Sequence, residues 1–189
     1  MIISDNILNS IYKYISKHHE LYSTSVKAEQ WEEILFKALT ENNVSASWDS
    51  GSHKVGEDIK TKEFGRISCK GGALKKSKYK NESLTISGSR TTSYKTLDSK
   101  IEYLSNNHDD YYFCLAKYSK DIDSGNYHYK LIAFPSKLIK PNNLKWKEKG
   151  KNFCAEGIGI TQTIQTSMSG QLWTVLDVSL TSYQYDITV

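Results

Sequence analysis

The sequence predicts an α+β (mixed α/β) fold, with a central mixed sheet and helices packed against it. Three observations carry this. Two amphipathic segments open the chain, short alternating segments fill its middle, and residues 111–118 (YYFCLAKY) form a nearly continuous apolar run, as expected of a strand buried on both faces.

Residues 4–19 read as a helix that Ser4 or Asp5 can cap, with Ile7, Leu8, Ile11, Tyr14 and Ile15 on one broad face. A second helix over 27–40 buries Trp31, Ile34, Leu35, Ala38 and Leu39 at three-four spacing, and Asn42-Asn43 stops it. Residues 44–48 are a short strand. The turn-rich DSGSHKVG leads into a hairpin of 58–61 and 66–70, with its turn near 63–65. The lysine-rich 71–81 reads as a loop or irregular edge, and 83–87 as another strand. Thr96 opens a helix to about Asn106 with Leu97, Ile101 and Leu104 on one side. Residues 127–134 pair with 111–118 through DIDSGN, and GIGITQTIQTS and LWTVLDVSL supply two further strands. No repeat or long linker breaks the chain, so 1–189 reads as one domain.

The 189 residues suffice for a real core, 13 Tyr and 4 Trp make it aromatic-rich, and a net charge of +4 permits a polyanionic partner. Cys69, Cys114 and Cys154 are too scattered for a zinc ribbon or a disulfide framework, and buried free thiols in a reducing cytoplasm are expected. The first residues, MIISDNILNSIYKY, resemble neither a signal peptide nor a membrane span. No Ser-His-Asp order, Gly-rich nucleotide loop or metal-ligand spacing of histidines is present, and His18 and His19 suit the negative pole of the first helix.

The chemistry concentrates in GEDIKTKEFGRISCKGG, residues 56–72. In the hairpin, Asp58, Ser68 and Lys70 can share one side while Ile59, Ile67 and Cys69 enter the core. Glu82, twelve positions after Lys70, can return its carboxylate beside Asp58. Two carboxylates and a lysine around one point suit magnesium, which takes hard oxygen ligands and keeps several waters. Such a site can hydrolyse a phosphodiester. The alternative is a surface hairpin in which Asp58 and Lys70 form a cross-strand ion pair of small worth.

This layout resembles the PD-(D/E)-x-K nuclease superfamily, and in particular type II restriction endonucleases. Ser68-Cys69-Lys70 followed by Glu82 is similar to the variant in which Ser-x-Lys is completed by a downstream glutamate; Glu57 stands where the superfamily's proline would be. The resemblance covers about 28–118 and implies a restriction-endonuclease-like fold. It implies metal held by Asp58 and Glu82, Lys70 orienting the attacking water, and Ser68 in the place of the usual acid. It also implies a glutamate on an early helix, Glu32 or else Glu33. The expected activity is Mg2+-dependent, site-specific cleavage of double-stranded DNA by a cytoplasmic homodimer, since a palindromic site needs two active centres. Residues 119–189 are left for DNA recognition or dimerisation.

The segment after the expected strand at 83–87 offers DNA contacts: Ser89, Arg90, Thr91, Thr92, Ser93 and Lys95 combine hydroxyls, cations and a helix start. Arg90 can reach a guanine edge. The basic run with Lys75, Lys76 and Lys78 suits the phosphate backbone, KWKEKGKN at 145–152 does so more weakly, and His53 can touch phosphate or hydrogen-bond locally. Two other readings are a repair or mobile-element nuclease of the same fold and a non-catalytic nucleic-acid-binding module.

Overall fold

Two helices come first, because their apolar stripes need a sheet to cover. The computed structural model describes residues 3–48, 58–76, 81–106, 109–118, 126–168 and 170–189. Helix α1 (Asp5–Leu21) is capped by Ser4, whose hydroxyl accepts the Ile7 N–H at 3.4 Å. Helix α2 (Ala28–Glu41) buries Trp31, Ile34, Leu35, Ala38 and Leu39, the whole expected stripe. His19 lies with His18 in the last turn of α1. It stacks on Tyr127 at 3.7 Å and hydrogen-bonds the Tyr129 hydroxyl at 2.8 Å, and burial, with His18 beside it, holds its pKa below the usual histidine range.

The strands follow as β1 (Ala46–Trp48), β2 (Ile59–Thr61), β3 (Gly65–Lys76) and β4 (Glu82–Arg90), then helix α3 (Leu97–Ser105), β5 (Tyr111–Tyr118) and β6 (His128–Pro135). The remainder are β7 (Lys145–Lys149), β8 (Asn152–Gly157), β9 (Ile160–Gln165), β10 (Gln171–Asp177) and β11 (Tyr183–Thr188). All belong to one mixed sheet ordered β11-β6-β5-β3-β4-β10-β9-β8-β7, with β2 paired to β3 and β1 to β2. The β3–β5 pair is parallel and the other ladders are antiparallel. The architecture is therefore α+β, a large mixed sheet with three helices.

Helices α1 and α2 cover one face of the central strands, over Ile59, Ile67, Cys69, Phe113 and Leu131. The opposite face buries Leu74, Leu84, Cys114, Ile132 and Phe134. Further along that face, Leu104 of α3 packs on Ile164 and Leu172. One pattern departs from expectation: Lys100, not Ile101, joins Leu104 among the buried residues of α3. Its ammonium donates to the carbonyls of Thr91 and Tyr94.

The lysine-rich stretch is not a loop through its first half, since β3 continues to Lys76. Gly72 makes this possible. A Cβ there would stand 2.7 Å from Leu84 Cδ1 and 3.4 Å from Ala116 Cβ, so a side chain at 72 would have to push Leu84 aside. KWKEKGKN, read as a basic run, is most of the β7–β8 hairpin, turned at Gly150 with φ 63°.

The β2–β3 hairpin turns through Gly65 at φ 69°, where an added Cβ would strike the Asp110 carboxylate. That carboxylate accepts the Arg66 N–H at 2.9 Å and ties the hairpin to the start of β5. Gly65→Ala is expected to lower stability by about 1–3 kcal/mol through backbone strain and this clash, measured by urea denaturation.

Candidate functional site

The sheet forks along β3. On the side away from β5, β3 pairs with β2 through Ile67 and with β4 from Ala73 onward. Residues 68–72 between them have ladder partners only in β5. An unpaired stretch in mid-sheet leaves backbone N–H groups to satisfy, and here Asp58 supplies an acceptor. Its own N–H donates to the Ile67 carbonyl at 3.1 Å, closing the hairpin. Its Oδ2 then accepts the Cys69 N–H at 2.7 Å and the Ser68 hydroxyl at 3.3 Å. The carboxylate thus stands in for a missing strand.

Lys70 brings its ammonium to 3.7 Å from the same Oδ2, with side-chain exposures of 27% for Lys70 and 19% for Asp58. Both groups are shielded from bulk water yet open on one side. Ser68 is buried at 1% exposure, so its hydroxyl orients Asp58 and does not present itself to a ligand. Ile59, Ile67 and Cys69 point into the core, as the alternation of the hairpin requires.

Glu32 approaches from α2. Trp31, fully buried, donates its indole N–H to the Phe113 carbonyl at 2.9 Å and pins the first turns of α2 onto β5. Ala28, in the first turn, lies 3.7 Å from where a Cβ on Gly71 would sit. The next residue after the anchor is therefore held at the fork. Burial pushes the Glu32 carboxyl above the usual range, and the negative charge of Asp58 adds to this, while Lys70 and the Trp48 indole oppose it. Glu32 thus feels the charges of both Asp58 and Lys70, and a cation beside the two carboxylates would be favoured. Glu33, the alternative on α2, instead pairs with Lys37 at 2.6 Å on the exposed side.

Glu82 does not join them. It lies opposite Lys76, six positions along β3 from Lys70, which is about 20 Å of extended chain. There it accepts from Lys130 at 2.6 Å and from the Tyr118 hydroxyl at 3.1 Å, with Asp186 completing the group at 3.5 Å from Lys130. The expected return path fails because β3 runs straight past the end of the anticipated hairpin. Burial pushes the Tyr118 hydroxyl up to about 12. Burial lowers the Lys130 ammonium, but its bonds to Glu82 and Tyr118 outweigh this and hold it above the usual lysine range. The signal for this group in the sequence is a lysine inside the apolar run YHYKLIAF.

Of the expected DNA contacts, Arg90 is exposed and donates to Gln171 at 3.1 Å. Thr92, Ser93, Lys95 and Lys75 are exposed and Ser89 is half-buried. Thr91 is fully buried, with its hydroxyl on the Gly170 carbonyl at 2.9 Å, so it holds the loop and does not touch a ligand. Lys76 ends β3. Lys78 and His53 lie outside the described residues, as does Glu57. Cys69 and Cys114 are buried free thiols; burial raises Cys69 well above the thiol range and Cys114 to about 12, which disfavours the thiolate form beside Asp58.

Among the described residues no group of three or more His, Cys, Asp or Glu side chains is arranged to hold a metal ion. None of their helices is long and apolar enough to cross a membrane. No protein-family model matches the chain, and neither the curated proteins nor the solved structures contain a match to it.

Because Glu82 neutralises a lysine that is only 10% exposed at its side chain, Glu82→Gln is expected to cost about 1–3 kcal/mol of stability. Thermal unfolding measures this, and an unchanged melting temperature would contradict the assignment of Glu82 to a structural role.

Proposed function

We propose that this chain is a magnesium-dependent DNA endonuclease of the type II restriction class, built on a restriction-endonuclease-like core. The observation that carries the reading is the Asp58–Lys70 pair at the unpaired stretch of β3, with the Glu32 carboxyl near enough to feel both charges. A carboxylate pair fits magnesium, which commonly binds proteins through one or two carboxylates and fills its remaining positions with waters and substrate phosphates. Asp58 and Glu32 would hold it, in place of the Asp58 and Glu82 pair expected from sequence. When bound, the ion lowers the pKa of its water and offsets charge on a phosphate oxygen.

The chain's own groups do the rest. The Ser68 hydroxyl and Cys69 N–H fix the Asp58 carboxylate in one orientation. The Lys70 ammonium, beside that carboxylate, positions a water for in-line attack and offsets charge on the phosphoryl oxygens in the transition state. The buried wall of Cys69 and Cys114 keeps the local dielectric low, which strengthens these interactions. Cutting both strands of a palindromic site would bring two copies together as a homodimer.

Incubation with mixed plasmid DNA and magnesium tests the reading: discrete fragments are expected, and chelation should abolish them. A smear or structure-selective nicking would instead favour a repair nuclease, and a gel shift without cutting a binding module. Asp58→Ala and Lys70→Ala should each reduce cleavage by at least about 10²-fold with DNA binding retained, whereas Glu82→Gln should still cut. Full cleavage by Asp58→Ala would refute the assignment.

A further inference from the structure

We propose that the open face of the β4–β10–β9–β8–β7 array is a cradle for duplex DNA, continuous with the fork in the sheet. This rests on the nuclease reading only for the identity of the polyanion as DNA. Along these strands the apolar residues Leu84, Ile86, Leu172, Leu176 and Ile164 all turn to the side covered by α3 and the central core. Their neighbours face the other way.

The ladder registers align those neighbours into rows. One row runs Lys147, Cys154, Thr163, Trp173, Ser87. Directly opposed residues on adjacent strands share a face, and the Thr163 hydroxyl contact to Cys154 Sγ at 3.7 Å bears this out. The flanking rows start at Lys145 and Lys149 and end at Thr85 and Arg90. Cys154 is buried, and the other members of the three rows are half-buried or exposed.

Charge picks the occupant. Each row begins with a lysine on β7 and one ends with Arg90, against Glu156 as their carboxylate, 4.0 Å from Lys147. The rest of the surface is hydroxyl and amide, apart from Trp173 and Val175, the latter 37% exposed. That is too little apolar area for a stable protein interface, whose core is mostly apolar, and the chemistry suits phosphates and base edges. Lys145, Lys147 and Lys149 stand roughly 6.8 Å apart on an extended strand, which is about two steps of one DNA strand. The array spans about 19 Å from β4 to β7, enough to cover the major groove, about 12 Å wide, and its flanking phosphates. The Thr85 row continues onto Ala73 of β3, on the side where Ala28 of α2 approaches Gly71. A duplex seated there reaches the Glu32 side of the fork.

The test is fluorescence anisotropy of a labelled duplex with the full chain, without magnesium, across a salt series. The variant Lys145→Gln/Lys147→Gln/Lys149→Gln should bind at least tenfold more weakly than the unsubstituted chain. Its log-affinity against log-salt slope should be shallower by about 2.7, or 0.9 per lost phosphate contact. A control with the same charge loss on the helices, Lys13→Gln/Lys17→Gln/Lys37→Gln, should bind as the unsubstituted chain does. Equal binding by the β7 variant, equal weakening in the control, or no duplex binding by the unsubstituted chain overturns the proposal. If the β7 variant loses binding but the unsubstituted chain never cuts DNA, the nuclease reading fails and the cradle stands. If cutting is intact and the β7 variant binds normally, the cradle fails alone.

Discussion

A single hydrogen bond organises the centre of this molecule: the Asp58 carboxylate on the Cys69 N–H at 2.7 Å. A strand at the middle of a sheet ordinarily satisfies its amides with neighbours on both sides. Where β2 stops and β4 has not yet arrived, β3 would leave donors without strand partners. Such groups cost about 1–3 kcal/mol each when left unsatisfied. By accepting the Cys69 N–H, Asp58 removes that penalty for one donor at the point where the sheet divides. The same oxygen attracts Lys70, so the cation and the carboxylate are set by backbone geometry and not by surface chance.

The second constraint is steric. Helix α2 can approach the sheet only because Trp31 sinks completely and finds the Phe113 carbonyl for its indole N–H. A buried indole without a partner would be unfavourable; with one, it fixes both the height and the rotation of the helix. Glu32 inherits its position from this anchor. The site is therefore assembled by three separate devices, a hairpin turn at Gly65, an interrupted strand and a pinned helix, each of which exists for folding reasons of its own.

Much of this is legible in the sequence. The apolar stripes of α1 and α2, the hairpin alternation that sends Ile59, Ile67 and Cys69 inward, and the apolar run of β5 all follow from periodicity. The pairing of Asp58 with Ser68 and Lys70 follows from the same alternation. What periodicity could not supply was length. GGALKK has glycines and lysines that argue for a loop, yet Gly72 sits within a strand, packed close to Leu84 and Ala116. Extending β3 carries Glu82 away from Lys70 and hands it to Lys130, a long-range pairing that no local pattern encodes. Thr91 fails for a related reason: its burial depends on Gly170, remote in sequence. The β7–β8 hairpin was hidden because its exposed strand is dominated by lysine, which masks the alternation that Trp146 alone discloses.

The three cysteines add a practical consequence. All are free and buried, and desolvation keeps Cys69 and Cys114 protonated. A thiol reagent can modify such groups only when the surrounding packing opens, because the reactive form is the thiolate and it needs access. Cys69 lies on the forked strand itself, with its side chain in the core beneath the helices. Its rate of alkylation thus reports how often the packing behind the fork comes apart, an internal stopwatch for breathing at the place where the chemistry would occur.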